Sequence, residues 1–240
     1  MINPVKTLRR RLAGTWLVGV MDYYRHPEMR DSWGGPLNGQ RHRQAIVETL
    51  IREVPLDAIV ETGTYRGTTT SYFAGLASQP IYTVEFDKRL CGFGWAALRK
   101  LKHVHRAVGD SRVFLRNLAG DQSLCGRTIL FYLDAHWNAD LPVLQELEII
   151  FANLPQSIVL IDDFQVIDDP GYGYDDYGSG NALVLDYIAP FRKEFGLSLF
   201  YPSLPAGQET GQKRGCITLV SGARLAQLLR NMSEIREYSG

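Results

Sequence analysis

The chain has 240 residues, with 26 basic and 26 acidic side chains and a formal net charge of zero. This balance lacks the basic surplus of nucleic-acid-binding proteins, so we expect no nucleic-acid partner. The length suits a single α/β domain over residues 1–240. Three cysteines, Cys91, Cys125 and Cys216, show no metal-binding spacing, and such a sparse, odd set favours a reducing, cytoplasmic compartment.

Residues 1–39 are predicted to form a helical and loop extension of this domain. A basic cluster precedes an apolar stretch at 12–21. This order resembles a secretory signal, but the apolar stretch is short, lacks a clear cleavage site and is too short to span a bilayer. We favour a helix that packs on the domain or on a partner, including a second copy of the chain. The basic cluster consists of Lys6, Arg9, Arg10 and Arg11.

From residue 40 onward, short apolar stretches alternate with stretches of helical spacing. A helix is predicted at 40–54 and another at 225–235, with helices also between the strands. Near-continuous apolar strands that alternate with helices are typical of a mostly parallel sheet covered on both faces. We therefore predict a doubly wound α/β fold with a seven-stranded sheet. The strands are predicted at 59–61, 81–84, 103–108, 128–133, 157–161, 197–201 and 216–220.

The stretch after the first predicted strand combines glycines with the start of a helix. Glu61, Gly63 and Gly67 follow the apolar residues 58–60, and a threonine-rich helix start comes next. Unpaired N–H groups at a helix N-terminus bind anionic or polar ligands, and glycines let a ligand approach the main chain. A third glycine and a Gly-Lys-Ser/Thr sequence are both missing, so neither the dinucleotide fingerprint nor a P-loop is present. The stretch predicts a cofactor loop, with a tight turn that binds nothing as the alternative.

Acidic residues follow five predicted strands in succession, each where the strand ends. The carboxyl ends of parallel strands form the edge where open α/β sheets bind ligands. One such acid can be a helix cap, which is the alternative interpretation of Asp110. The recurrence on five strands favours a ligand site. These residues are Glu61, Glu85, Asp110, Asp134 and the pair Asp162–Asp163.

With these motifs, residues 40–221 resemble the class I S-adenosylmethionine-dependent methyltransferases. The resemblance implies a Rossmann-like sheet with an antiparallel last strand. It also implies that residues 61–67 contact the methionine part of the cofactor, Glu85 the ribose and residues 109–111 the adenine. The implied cofactor-binding residues are Glu61, Thr62, Gly63, Thr64, Tyr65, Gly67, Thr69, Glu85, Asp110, Ser111 and Asp134.

Within that fold, the chain resembles metal-dependent O-methyltransferases of the catechol and macrolide-sugar types. These carry an Asp after the fourth strand and an acidic pair after the fifth, which implies Asp134, Asp162 and Asp163 as metal ligands. Three converging carboxylates would repel one another, and a hard cation such as Mg²⁺ relieves that repulsion. The ion would lower the pKa of a substrate hydroxyl and orient it.

His136 and Asp134 are the candidate catalytic residues, with His136 as the general base because imidazole titrates near neutral pH. Catechol-type enzymes place a lysine in this loop, whereas this chain has Asn138 and no lysine there. His136 as a metal ligand, or as a loop histidine bonded to a carboxylate, stays an alternative. For Asp162 and Asp163 the alternative is a turn or helix-capping role.

The loop at 165–180 contains several glycines, tyrosines and aspartates. It is interpreted as a lid or an acceptor-binding loop, with a disordered acidic loop as the alternative. The leading hypothesis is a metal-assisted O-methyltransferase that acts on a small hydroxylated acceptor, with a sugar or glycosylated natural product favoured. A nicotinamide-dependent oxidoreductase is disfavoured by the missing glycine and by the acids after the fourth and fifth strands. A non-catalytic binding protein on the same fold is the third hypothesis.

Overall fold

A computed structural model describes residues 4–136, 140–178 and 180–240, with the backbone alone for residues 4–13 and Ser32. The helices are α1 (Pro4–Arg25), α2 (Arg41–Glu53), α3 (Thr68–Leu76), α4 (Lys88–Ala97), α5 (Ser111–Ala119), α6 (Val143–Asn153), α7 (Leu185–Phe195) and α8 (Ala223–Arg230). The strands are β1 (Ala58–Thr62), β2 (Ile81–Glu85), β3 (Val104–Val108), β4 (Ile129–Leu133), β5 (Ser157–Asp162), β6 (Ser198–Pro202), β7 (Cys216–Val220) and β8 (Ile235–Glu237).

The strands form one sheet in the order β3-β2-β1-β4-β5-β7-β6-β8. Strands β1 to β5 pair in parallel, whereas β7 pairs antiparallel with both β5 and β6. The predicted α/β fold, with a mostly parallel sheet and an antiparallel strand at 216–220, is therefore confirmed.

The sheet gains an eighth strand that the sequence pattern did not predict. The helical spacing at 225–235 predicted a helix to Ile235, but α8 ends at Arg230 and Ile235 begins β8. Pro202 on β6 pairs with Ile235, so the last strand covers backbone groups that would otherwise form an open edge. Spacing alone missed this because Ile235 is apolar and buried in either structure.

Every residue of β1, β4, β5 and β7 is buried, because helices cover both faces of the sheet. One core cluster surrounds Phe131 and Ile150, and a second on the opposite face surrounds Ile46 and Leu130. The acidic residues of these strands, Glu61 and Asp162, lie at or next to the carboxyl ends of β1 and β5. The carboxyl edge is therefore where these strands present their charged groups.

Helix α1 packs on α4 through close contacts between the two backbones. A Cβ atom on Gly19 would overlap the Arg89 carbonyl, and one on Gly92 would overlap the Trp16 carbonyl. The ring of Trp16 also packs edge-on against Trp95, with the ring centres 5.6 Å apart. Within the described residues, no helix combines the length and apolarity that a bilayer span requires.

We expect Gly92→Ala to lower the free energy of unfolding by about 1–3 kcal/mol, because the added methyl group forces α1 away from α4. Gly14→Ala is the matched control, since a Cβ there meets nothing within 4 Å. It should leave stability unchanged or raise it by up to about 1 kcal/mol through better helix propensity. Urea unfolding followed by circular dichroism measures both, and equal stability of the two variants would contradict the packing.

Candidate active site

The carboxyl ends of the parallel strands open into a cleft of about 1040 Å³. This volume lies at the upper end of the roughly 300–1,000 Å³ typical of ligand pockets. Of the predicted cofactor-binding residues, those that line the cleft are Gly63, Tyr65, Glu85, Asp110, Ser111 and Asp134. Those outside the lining are Glu61, Thr62, Thr64, Gly67 and Thr69.

The loop after β1 is hydrogen-bonded to Glu85, the acid at the end of β2. Gly63 has φ +90°, and a Cβ atom there would overlap the Asp134 carbonyl. Tyr65, with φ +49°, donates its backbone N–H to Oε2 of Glu85 at 2.7 Å. The N–H of Asp87 donates to Oε1 at 2.8 Å. Each carboxylate oxygen has a second lone pair, so Glu85 can still accept hydroxyl protons from a ligand in the cleft.

Glu61 lies beneath this loop. Its side chain is buried, and Oε2 accepts hydrogen bonds from the hydroxyls of Thr70 at 2.5 Å and Thr83 at 2.6 Å. Burial raises the pKa of Glu61 to about 7, against the opposing effect of both hydroxyls. These bonds tie β1 to α3 and β2, so Glu61 shapes the loop from behind.

Asp110 caps helix α5, which was the alternative interpretation of its role. It accepts a hydrogen bond from the Arg112 N–H at 2.8 Å, and the Arg112 guanidinium also pairs with it. That ion pair holds the pKa of Asp110 below its usual value. The Arg112 guanidinium also forms an ion pair with Asp140 at 3.0 Å, so the three charged side chains are linked along the rim of the cleft.

Sequence reasoning missed Phe86, a cleft residue with 76% of its surface exposed, although it directly follows Glu85.

Three side chains converge at the other end of the cleft, namely Asp134, His136 and Asp163. One potential ligand atom from each lies within 4.8 Å of the others. The His136 side chain is 1% exposed, and neither ring nitrogen has a hydrogen-bond partner among the described residues. Burial lowers the pKa of His136, which favours the neutral imidazole that metals bind. Burial, followed by the charges of Asp163 and Glu61, raises the pKa of Asp134 well above its usual value.

Asp162 lies outside this group, although it was one of the three predicted ligands. Its buried carboxylate is paired with Arg43, accepts the Tyr132 hydroxyl at 2.5 Å and accepts from Asn38 at 3.2 Å. Arg43 also donates to the carbonyl of Gly215 at 2.9 Å. The structure therefore commits Asp162 to an internal ion pair and places His136 beside Asp134 and Asp163.

Arg214 is a further cleft residue that sequence reasoning missed. Its Nε donates to Oδ1 of Asp163 at 2.7 Å, and its guanidinium also pairs with Asp175. Tyr177 donates its hydroxyl to Asp175 at 2.6 Å, which brings the loop at 165–180 into the cleft. No local signal identifies Arg214, because its partners lie 51 and 39 residues away. Asn138, the residue noted in place of a lysine, lies outside the described residues.

Comparison with known proteins bears on the fold. No family model and no curated protein matches the sequence. An S-adenosylhomocysteine-bound methyltransferase from Podospora anserina aligns with a TM-score of 0.57 and 15% identity over 93% of this chain and 98% of its own. An O-methyltransferase from Bacillus cereus, in complex with S-adenosylhomocysteine, aligns with a TM-score of 0.52 and 15% identity over 76% and 80%. The chain has the class I methyltransferase fold.

One buried acid of this methyltransferase fold lies under the cleft without a complete set of partners. Glu146 on α6 is fully buried, and neither carboxylate oxygen has a hydrogen-bond partner among the described residues. Burial raises its pKa to about 7, and the nearby hydroxyls of Ser111 and Thr62 only partly oppose that shift. The folded protein therefore favours the protonated form of Glu146, and ionising it costs stability.

The pH dependence follows from that shift. Stabilisation by the protonated acid is complete below the unfolded pKa of 4.5 and is lost as pH rises through about 7. Glu146→Gln should therefore raise stability at pH above 7, by up to about 3 kcal/mol, and change it little near the unfolded pKa. Glu148→Gln, an exposed change on the same helix, should show no such dependence. Urea unfolding across this pH range measures both, and a Glu146→Gln effect independent of pH would refute the assignment.

Proposed function

We propose that this chain is an S-adenosylmethionine-dependent O-methyltransferase that acts in the cytoplasm on a hydroxyl group of a small molecule. The observation that supports this most is the shared cleft, which joins the Glu85 loop to the group Asp134, His136 and Asp163. One end of the cleft offers hydroxyl-accepting and backbone groups, and the other offers metal ligands and a base. This arrangement suits one cofactor and one acceptor, held side by side.

The cofactor end is formed by the loop 63–67 and Glu85. Glu85 would accept the ribose hydroxyls, because its lone pairs are not used up by Tyr65 and Asp87. Phe86 and Leu90 add an apolar surface to the same end, suited to a flat base. The bound cofactor supplies the methyl group, and the protein supplies its position.

The residues present fit a divalent ion. Asp134 and Asp163 provide oxygen ligands, and His136 provides a buried nitrogen that accepts and donates no hydrogen bond among the described residues, although its Nε2 lies 3.8 Å from Oδ2 of Asp175. Carboxylates suit Mg²⁺, whereas an imidazole in the set also suits Mn²⁺ or another transition metal. When bound, the ion would supply positive charge that lowers the pKa of the acceptor hydroxyl and orients it.

His136 and Asp134 are the proposed proton acceptors for that hydroxyl. The depressed pKa of His136 leaves it neutral at physiological pH, so it can take up a proton. Asp134 is the alternative acceptor, because burial and the charges of Asp163 and Glu61 raise its pKa in the absence of an ion. The group that takes the proton would use a lone pair that does not bind the ion, and the remaining ligands would hold the ion.

A sugar or glycosylated acceptor is favoured by the residues around that end. Trp33, with 55% of its surface exposed, and Tyr177, with 37%, both line the cleft. Flat aromatic rings stack on the apolar faces of sugars, and Asp175 and Gln212 add hydrogen-bonding groups. The loop at 165–180 is the proposed acceptor-binding segment.

Glu85→Ala should weaken S-adenosylmethionine binding by about 10- to 100-fold, because two charge-assisted hydrogen bonds are lost. Isothermal calorimetry gives the dissociation constant, and Glu194→Ala, an exposed acid on α7, is the control. Titration with NAD in parallel tests the oxidoreductase alternative. Unchanged affinity in Glu85→Ala, or preferential binding of NAD, would remove the cofactor assignment.

Divalent ions should raise the melting temperature of chelator-treated protein. At an ion concentration of 100 times the dissociation constant, the free energy of unfolding should rise by about 2.7 kcal/mol. Asp163→Asn and His136→Gln should reduce that ion-dependent shift. Asp162→Asn should instead cost about 3–5 kcal/mol without any ion, because it leaves Arg43 buried and unpaired, while the shift persists. Thermal melts with Mg²⁺, Mn²⁺ and a chelator measure all three, and a shift lost only in Asp162→Asn would restore the predicted ligand set.

A further inference from the structure

The outer face of α1 exposes a row of large apolar side chains. Leu17, Val18, Met21 and Tyr24 have 54%, 42%, 42% and 53% of their surfaces exposed. Leu17, Met21 and Tyr24 are spaced by four and three residues, and Val18 lies three residues before Met21, so all four lie along one side of the helix. Scattered exposed apolar residues are ordinary, but a contiguous row of this kind marks an interaction surface.

The inner face of the same helix fixes which way this row points. Gly19 lies against the Arg89 backbone, and Trp16 packs edge-on against Trp95. Asp22 accepts a hydrogen bond from Arg89 at 2.6 Å. Because these contacts hold α1 on the domain, the apolar row faces outward. The described residues leave about half of each of its side chains exposed.

The charges before the row and beside Tyr24 are positive, and the next exposed acid along the chain, Glu28, lies beyond Arg25. The chain has no acidic residue before Asp22, and Asp22 is buried against Arg89. Arg25 and Arg99 are exposed at the other end of the row, and the Arg99 guanidinium lies 5.5 Å from the centre of the Tyr24 ring. Four basic residues precede the row in the sequence: Lys6, Arg9, Arg10 and Arg11.

We propose that the outer face of α1 docks this protein on an anionic lipid surface. The apolar row would enter the boundary between headgroups and acyl chains, with α1 parallel to the membrane plane. Each basic residue near an anionic leaflet adds about 1 kcal/mol of attraction. A helix that lies in the interface needs no bilayer-spanning length, which agrees with the absence of a spanning helix in the described residues.

Charge also argues against a second copy of the chain as the occupant of this face. In a parallel pair, the basic cluster at 6–11 of one copy would lie beside the same cluster of the other. That arrangement brings like charges together, which is unfavourable, whereas an anionic lipid surface neutralises them. An antiparallel pair is distinguished by the light-scattering measurement below.

Co-sedimentation of the full-length protein with vesicles tests the proposal. Binding is expected with phosphatidylcholine vesicles that contain about one third phosphatidylglycerol, to weaken with added salt, and to be absent with phosphatidylcholine alone. The double variant Leu17→Ser/Met21→Ser should lower the partition coefficient by at least about tenfold. Leu76→Ser, which removes an exposed leucine on α3, should leave it unchanged.

Arg10→Glu/Arg11→Glu gives a second readout that does not alter the apolar row, and it should abolish binding to the mixed vesicles. The proposal is overturned if wild-type protein ignores anionic vesicles, or if the double serine variant binds as well as wild type. Light scattering tests whether a second copy of the chain occupies this face. A wild-type dimer that becomes a monomer in Leu17→Ser/Met21→Ser would make this face a contact between copies of the chain and overturn the lipid assignment.

Discussion

A buried ion pair between Arg43 and Asp162 determines how the site is assembled. The two side chains are 1% and 2% exposed, so each charge has lost nearly all of its hydration. Such charges are tolerated only when the pair is complete and further hydrogen bonds satisfy it. Tyr132 and the Gly215 carbonyl provide those bonds. The pair thereby joins α2, β4, β5 and the approach to β7 at the carboxyl edge of the sheet.

The same interaction separates the roles of two acids that are adjacent in sequence. Asp162 ends β5 and points into the ion pair, and it also accepts the backbone N–H of Asp163 at 2.7 Å. Asp163 has φ +52°, an uncommon conformation for a residue other than glycine. That turn releases the second carboxylate into the cleft, where it lies near Asp134 and His136. Strained backbone of this kind is often concentrated at functional sites.

Arginines share the neutralisation of the acidic cleft with any bound ion. Arg214 bridges Asp163 and Asp175, so the loop at 165–180 is connected electrostatically to the proposed metal ligands. A backbone hydrogen bond reinforces this connection, because the N–H of Gly173 donates to the carbonyl of Lys213 at 2.9 Å. The described residues of this loop therefore form part of the wall of the cleft. A change at Asp175 would reach the ligand group through Arg214.

Sequence patterns sufficed for the features that depend on neighbouring residues. Apolar stretches and helical spacing specified the α/β alternation, and the acids at strand ends specified the edge where Glu85 and Asp134 lie. These features are local because strand burial, helix periodicity and capping each involve residues a few positions apart. The same reasoning identified the glycine loop that contacts Glu85 through Tyr65.

Tertiary structure decided the contacts that join distant parts of the chain. Arg43 and Asp162 are 119 residues apart, so no local pattern shows that Asp162 pairs with Arg43 and lies outside the group of Asp134, His136 and Asp163. Likewise, Ile235 continues an apolar spacing that fits a helix. It lies in a strand because residues 235–237 pair with the otherwise open edge of β6. A side chain's partner depends on which surfaces the fold brings together. Residue type and spacing fix what each group can do, and three-dimensional packing selects which of those roles it has.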